Sequence, residues 1–194
     1  PTTTRKCAVG LRLVMKRGPS QKIMAERLHT DVFVSHAGWA TALDDVEGVC
    51  HRAALAAFGA CAEPDLTQAE VSILLSDDEK MQALNKQYRG IDKPTNVLSF
   101  AGLDENNTAP FEAMPQLLGD IVISYETALS EAKKEDKKLA DHLSHLVIHG
   151  ILHLFGHDHE SHAQAELMEA LETSTLGGLG IPDPYNGTEL MGSR

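Results

Sequence analysis

Between His149 and His159 the chain reads His-Gly-Ile-Leu-His-Leu-Phe-Gly-His-Asp-His. His149 and His153 are four residues apart, so on a helix their imidazoles leave one face a single turn apart. Two ring nitrogens at that spacing can share a metal ion. Gly156 accepts the left-handed backbone that ends a helix, and a reversal there carries His159 back as a third ligand. Three neutral imidazoles leave one position of a tetrahedral Zn²⁺ open, which marks a catalytic rather than a structural site. Imidazole also suits nickel, copper and iron, so the spacing leaves the identity of the divalent ion open. Seven of the ten histidines fall between His142 and His162. Spacing selects none of His142, His145, His157 or His162 as a ligand, and each reads as a core or turn residue satisfied by hydrogen bonds.

A zinc ion so held lowers the pKa of bound water towards ~7 and polarises an anionic phosphoryl oxygen. A nearby guanidinium would stabilise the charge that builds on phosphorus, since its planar fork matches phosphate oxygens. Arg89, at a glycine turn leading into the segment Thr95 to Phe100, is either that group or a surface arginine closing a helix. The ligand and glycine spacing also fits the metzincin proteases. Those carry Glu directly after the first histidine as general base; here that position is Gly150. A glycine there is expected to leave open space through which a bulky phosphate approaches the metal. A binding protein with a purely structural metal is the other alternative, and an open three-histidine site speaks against it.

The elements that must position these groups follow from periodicity and caps. Strands are expected at Asp31 to Ser35, Ala69 to Leu75, Thr95 to Phe100 and Leu117 to Ser124, the last buried on both faces. Helices are expected from Asp44 or Asp45 to Phe58, from Ser76 or Asp77 to Arg89 with Met81 and Leu84 inward, and from Tyr125 to Asp136. Two more run from Leu139 to Phe155 and from Ala163 to Leu176, the latter stopped by Gly177-Gly178. Gly102 to Gln116 reads as a loop. Asp120, in an otherwise apolar strand, reads as a buried hydrogen-bonding residue or as the partner that orients a ligand histidine. Lys133, Lys134, Lys137 and Lys138 read as a solvated helix face. The sum is an α+β domain, a small mixed sheet of about four strands packed with about five helices. The metal site lies on its central helix and the following turn.

Composition narrows the setting. A chain of 194 residues with 42% hydrophobic content suits one domain with a real core. No apolar run approaches the ~20 residues that span a bilayer. Residues 1–29 carry a basic stretch, with Arg5, Lys6, Arg12, Lys16, Arg17, Lys22 and Arg27 against Glu26, and are expected to be a disordered tail outside the fold. A transit segment or an upstream extension before Met24 would both look this way. Residues 30–186 are expected to form the domain and 187–194 a C-terminal tail. The formal charge of −11 opposes non-specific nucleic-acid binding, so affinity for RNA would need a local basic cleft. Cys7, Cys50 and Cys61 form no CxxC pair and read as reduced thiols of a cytoplasmic protein.

Four blocks carry a resemblance: Leu84-Asn85 through Tyr88-Arg89; Pro94-Thr95-Asn96-Val97-Leu98-Ser99-Phe100; Leu118-Gly119-Asp120-Ile121; and the histidine stretch followed by Glu169-Ala170-Leu171-Glu172 and Asp183-Pro184-Tyr185. In that order the chain resembles the YbeY family of bacterial endoribonucleases, or rRNA maturation factors. The resemblance implies a metal-dependent enzyme that cuts single-stranded RNA. It implies action in 16S rRNA 3′-end processing and ribosome quality control, with the rRNA precursor and the ribosome or its small subunit as partners. It also implies one Zn²⁺ per chain on His149, His153 and His159, with His149 and Arg89 in catalysis and Arg89 facing the scissile phosphate. His157 departs from the family pattern, where tyrosine is usual, and reads as an exposed turn histidine.

Replacing His149, His153 or His159 singly with alanine is expected to lower metal occupancy sharply. Elemental analysis of the purified variants checks this; undiminished metal in all three would remove the assignment.

Overall fold

The computed structural model describes residues 26–62, 66–102 and 115–186. Within them the chain forms β1 (Leu28–Val34), α1 (Ala37–Ala42), α2 (Val46–Cys61), β2 (Ala69–Ser76) and α3 (Asp78–Arg89). It continues through β3 (Val97–Ala101), β4 (Gln116–Ser124), α4 (Tyr125–Lys134), α5 (Leu139–Leu154) and α6 (His162–Gly178). The sheet order is β1-β2-β4-β3, with β3 alone antiparallel to its neighbour. The helical crossovers between β1, β2 and β4 permit the parallel pairings. This is the α+β architecture expected, with six helices among the described residues where about five were expected.

Strand alternation decides what each sheet face buries. Val71, Ile73 and Leu75 of β2 and Ile121 and Ile123 of β4 join the main core with α2 and α5. Leu98 and Val122 point the other way and form a small second cluster with Met81 of α3. Helix α5 lies between the sheet and α2, which is why ten of its residues are buried and its sequence is so apolar. Helix starts follow their caps: Asp45 accepts from Gly48 N, Asp77 from Lys80 N, and Ser161 forms a capping box with Gln164. No helix of the described residues is long and apolar enough to cross a membrane.

Several expectations are corrected. Helix α1 went unforeseen, because six residues are too few to show a period; it buries Trp39, whose indole donates to Ser76 O at 3.1 Å. The fold starts before residue 30: Leu28 is buried in β1, Ala69 N donates to Arg27 O at 2.7 Å, and the Arg27 guanidinium donates to Leu66 O. Residues 1–25 and 187–194, expected as tails, lie outside the described residues, as does most of the expected loop from Gly102 to Gln116. Strand β3 begins at Val97 rather than Thr95, because Asn96 Oδ1 accepts from Val97 N at 2.7 Å and turns the chain there. Strand β4 is buried on both faces only from Ile121 to Ser124; in its first half Leu117 and Asp120 are exposed. Helix α6 runs through Gly177 and Gly178, and the left-handed residue that ends the segment is Gly180, at φ 74°. Lys137 is no solvated lysine, since its ammonium donates to Pro184 O at 2.7 Å and ties down the C-terminal segment.

Gly150 is the most consequential correction. It does not open space beside the metal ligands but faces the sheet, where a Cβ would lie 2.9 Å from Ile121 Cδ1 and Cγ2. The residue after the first ligand is therefore a close-packing contact between α5 and β4. Gly150→Ala is expected to lower the melting temperature: overpacking costs ~1–3 kcal/mol, against a helix-propensity gain of ~1 kcal/mol. The loss should shrink in an Ile121→Ala background. An unchanged or raised melting temperature for Gly150→Ala would contradict this packing.

Candidate metal centre

The end of α5 is built to bring three imidazoles together. Gly156, at φ 81°, follows Phe155 in left-handed geometry. Gly156 N donates to His153 O at 2.9 Å and His157 N to Leu152 O at 3.0 Å, the paired bonds of a Schellman turn. The chain reverses and returns His159 beside the last turn of α5. Ring centroids then lie 4.6 Å apart for His149 and His153, 5.2 Å for His153 and His159, and 5.7 Å for His149 and His159. One nitrogen from each falls within 4.8 Å of the other two.

These residues fit a metal on three counts. His149 Nε2 and His153 Nε2 lie 3.0 Å apart, near the ~3.3 Å expected between two nitrogens at ~2.0–2.1 Å from one tetrahedral zinc. Burial of His153, with His149 and His159 beside it, lowers its pKa, so the imidazole keeps the lone pair a ligand needs. The third count is the group behind His149. Glu172 of α6 accepts from His149 Nδ1 at 2.7 Å. A carboxylate offers no proton, so Nδ1 carries one and the free lone pair of Nε2 is turned towards His153.

Glu172 is 1% exposed and satisfies more than one donor. Its second oxygen accepts from His145 Nε2 at 3.0 Å, and the Tyr185 hydroxyl donates to the same oxygen. Burial alone would raise the carboxyl pKa. The three donors outweigh it and bring the pKa to about 2, so the group is a fixed anion at neutral pH. Burial and the Glu172 charge push the Tyr185 phenol up, so it remains a donor. His145 is thus no ligand but a brace for the carboxylate that orients one. His142, next along the same helix edge, donates through Nε2 to Glu131 at 2.9 Å.

Sequence reasoning missed Glu172 as a working residue, although a signal was there. Met168, Thr175 and Leu176 are the other buried residues of α6, so Glu172 is a charge on the buried stripe of an amphipathic helix. Asp120 does not take this part. It is exposed on the sheet face opposite α5, cross-strand from Ser72 and Phe100, and makes no hydrogen bond to a histidine among the described residues. Arg89 ends α3 and is exposed, followed by Gly90 at φ 72°. The structure assembles the three histidines but brings Arg89 into no hydrogen bond or ion pair among the described residues. His157 is half-buried in the turn and is not one of the three.

Fold and site together define an α+β domain with a three-imidazole centre, one imidazole oriented by a buried carboxylate. The family description "Endoribonuclease YbeY" matches residues 46–180. An Endoribonuclease YbeY of Paramagnetospirillum magneticum is 50% identical over 147 residues, covering 76% of this chain and 89% of that protein. One of a Bradyrhizobium species is 50% identical over 147 residues, 76% of this chain and 86% of its own. A solution structure of a Thermotoga maritima protein aligns with 86% of this chain and 100% of its own, at 22% identity and TM-score 0.46. The chain belongs to the YbeY endoribonuclease family. Its reaction class is that of a hydrolase acting on RNA.

Replacing Glu172 with glutamine removes the anion while keeping its size. Metal affinity is expected to fall ~10–100-fold, as for other groups that orient metal-bound histidines. Competition against a chromophoric chelator checks this; wild-type affinity in a folded variant would show that His149 needs no such partner.

Proposed function

We propose that the chain is a zinc-dependent endoribonuclease specific for single-stranded RNA. Its substrate is the 3′ end of the 16S rRNA precursor on the small ribosomal subunit, where it matures the rRNA and takes part in ribosome quality control in the cytoplasm. The observation that carries the reading is the cluster of His149, His153 and His159, with Glu172 fixing the tautomer of His149. A divalent ion held there supplies the Lewis acidity and the activated nucleophile that phosphodiester cleavage requires.

The chain's own residues do the rest. Glu172 holds His149 in register, and His145 and Tyr185 hold Glu172. Arg89 supplies positive charge to the scissile phosphate; its exposed guanidinium has no ion pair among the described residues and is free to meet a substrate. The protease alternative loses support, because the position of its base carboxylate is Gly150, packed on Ile121. A purely structural metal is disfavoured too, since structural zinc is usually closed by four protein ligands, and three residues form the cluster among those described.

Two measurements test this. Purified protein should contain about one zinc per chain, and should cut unstructured RNA but neither duplex RNA nor denatured casein, with chelators abolishing the activity. Chelator-sensitive casein hydrolysis with RNA left intact would overturn the reading. Arg89→Ala should keep metal and fold yet lose ~10²–10³ in cleavage rate, as when one preorganised donor is removed. Near-normal cleavage would return Arg89 to an ordinary surface residue.

A further inference from the structure

Beside the metal centre lies a cavity of about 610 Å³, lined in part by Asn96, Glu131, Lys134, His142, His149 and Tyr185. Its size falls in the ~300–1,000 Å³ range of small-molecule sites, and His149 is its one wall residue from the three ligands. Glu131 is held rigidly in that wall. Asn96 Nδ2 donates to its Oε2 at 3.0 Å and to Oε1 at 3.3 Å, and His142 Nε2 donates to Oε2 at 2.9 Å. Both donors are anchored: His142 is 5% exposed, and Asn96 accepts from Val97 N at 2.7 Å through Oδ1 and from Ser124 N at 2.9 Å through its backbone carbonyl. Burial would raise the Glu131 carboxyl, but the bonds from His142 and Asn96 outweigh it and keep it below its ordinary value.

The result is an acceptor with capacity to spare. Oε2 has two donors, whereas Oε1 has one long bond and a free lone pair. The side chain is 34% exposed. A fixed anion repels phosphate, so this wall must face another part of a bound nucleotide, one that presents a hydrogen. Ribose presents such a donor on every nucleotide, whatever the base, and DNA lacks it. Carboxylates serve ribose hydroxyls in the same way in dinucleotide sites. Lys134, on the same wall and without an ion pair among the described residues, complements the adjoining phosphate.

We propose that Glu131 accepts a hydrogen bond from the 2′-hydroxyl of a nucleotide neighbouring the scissile phosphate, and that this contact makes the cleft prefer RNA over DNA. The proposal rests on the RNA-cleaving function argued above and adds a specificity-determining residue to it.

The test is a cycle between protein and sugar. Single-stranded oligoribonucleotides carrying one 2′-deoxy residue, moved through each position around the cleavage site, are cut by the zinc-loaded wild type and by Glu131→Ala. At one position the wild type should lose ~10–100-fold in kcat/KM, the worth of a hydrogen bond to a charged group. Glu131→Ala should be indifferent there, respond normally elsewhere and keep its metal. A 2′-fluoro residue, which preserves the ribose-like pucker but donates no hydrogen, should reproduce the loss. Should Glu131→Ala fail to fold, Glu131→Gln, which cancels the charge, completes the same cycle. Equal deoxy penalties in both proteins, full activity on the 2′-fluoro substrate, or a wild type indifferent at every position would each overturn the proposal alone. So would a rate that follows the base at that position and not the sugar. Failure to cut the all-ribose oligonucleotide would instead overturn the underlying nuclease reading, and this proposal with it.

Discussion

A single buried carboxylate holds the chemistry of this protein in place. Glu172 accepts from His149, His145 and Tyr185, which come from α5 and from the C-terminal segment, while Glu172 itself stands on α6. An uncompensated anion at that depth would be strongly destabilising, whereas one with three donors is stable and rigid. The requirement works in both directions. The donors are needed to bury the charge, and the charge is needed to set the proton on His149 Nδ1 and leave Nε2 for a metal. Packing of α6 on α5 is therefore inseparable from the readiness of the metal centre.

The rest of the fold serves that arrangement. Helix α5 must hold its two candidate ligands one turn apart, and ten of its residues are buried in the core it shares with the sheet and α2. Gly150 brings the helix against Ile121 of β4, where any larger residue would push the ligand turn away from the sheet. The Schellman turn at Gly156 then supplies the third imidazole without a long loop, which keeps the entropy of ordering His159 small. The same helix edge continues through His145 and His142, so one row of imidazoles ends at the candidate metal site on one side and bonds a cavity-wall acid on the other.

What was legible in the sequence was local. The histidine triplet could be read because helical spacing and a glycine stop act over ten residues; of the two starts offered for each of two helices the structure uses Asp45 and Asp77, and Gly90 and Gly156 take the left-handed backbone of a stop. What was not legible depends on how distant elements meet. Glu172 lies 23 residues from His149, and its role exists only once α6 lies against α5. The same holds for Gly150, read as open space because its direction relative to the sheet was unknown. The apolar neighbours of Asp120 point to a buried hydrogen-bonding residue or a partner for a ligand histidine, and the structure makes it neither. It lies on the sheet face that α3 covers only in part, where Phe33 is 57% exposed. Helix α1, at six residues, is simply shorter than the window in which periodicity can be recognised.

The most direct test of the account is the coordination sphere of the zinc-loaded protein by X-ray absorption at the metal edge. The account predicts three imidazole scatterers and one oxygen at ~2.0–2.1 Å, with one imidazole lost in His159→Ala. A closed sphere of four protein ligands, a sulfur scatterer near ~2.3 Å, or an unchanged spectrum in that variant would contradict it.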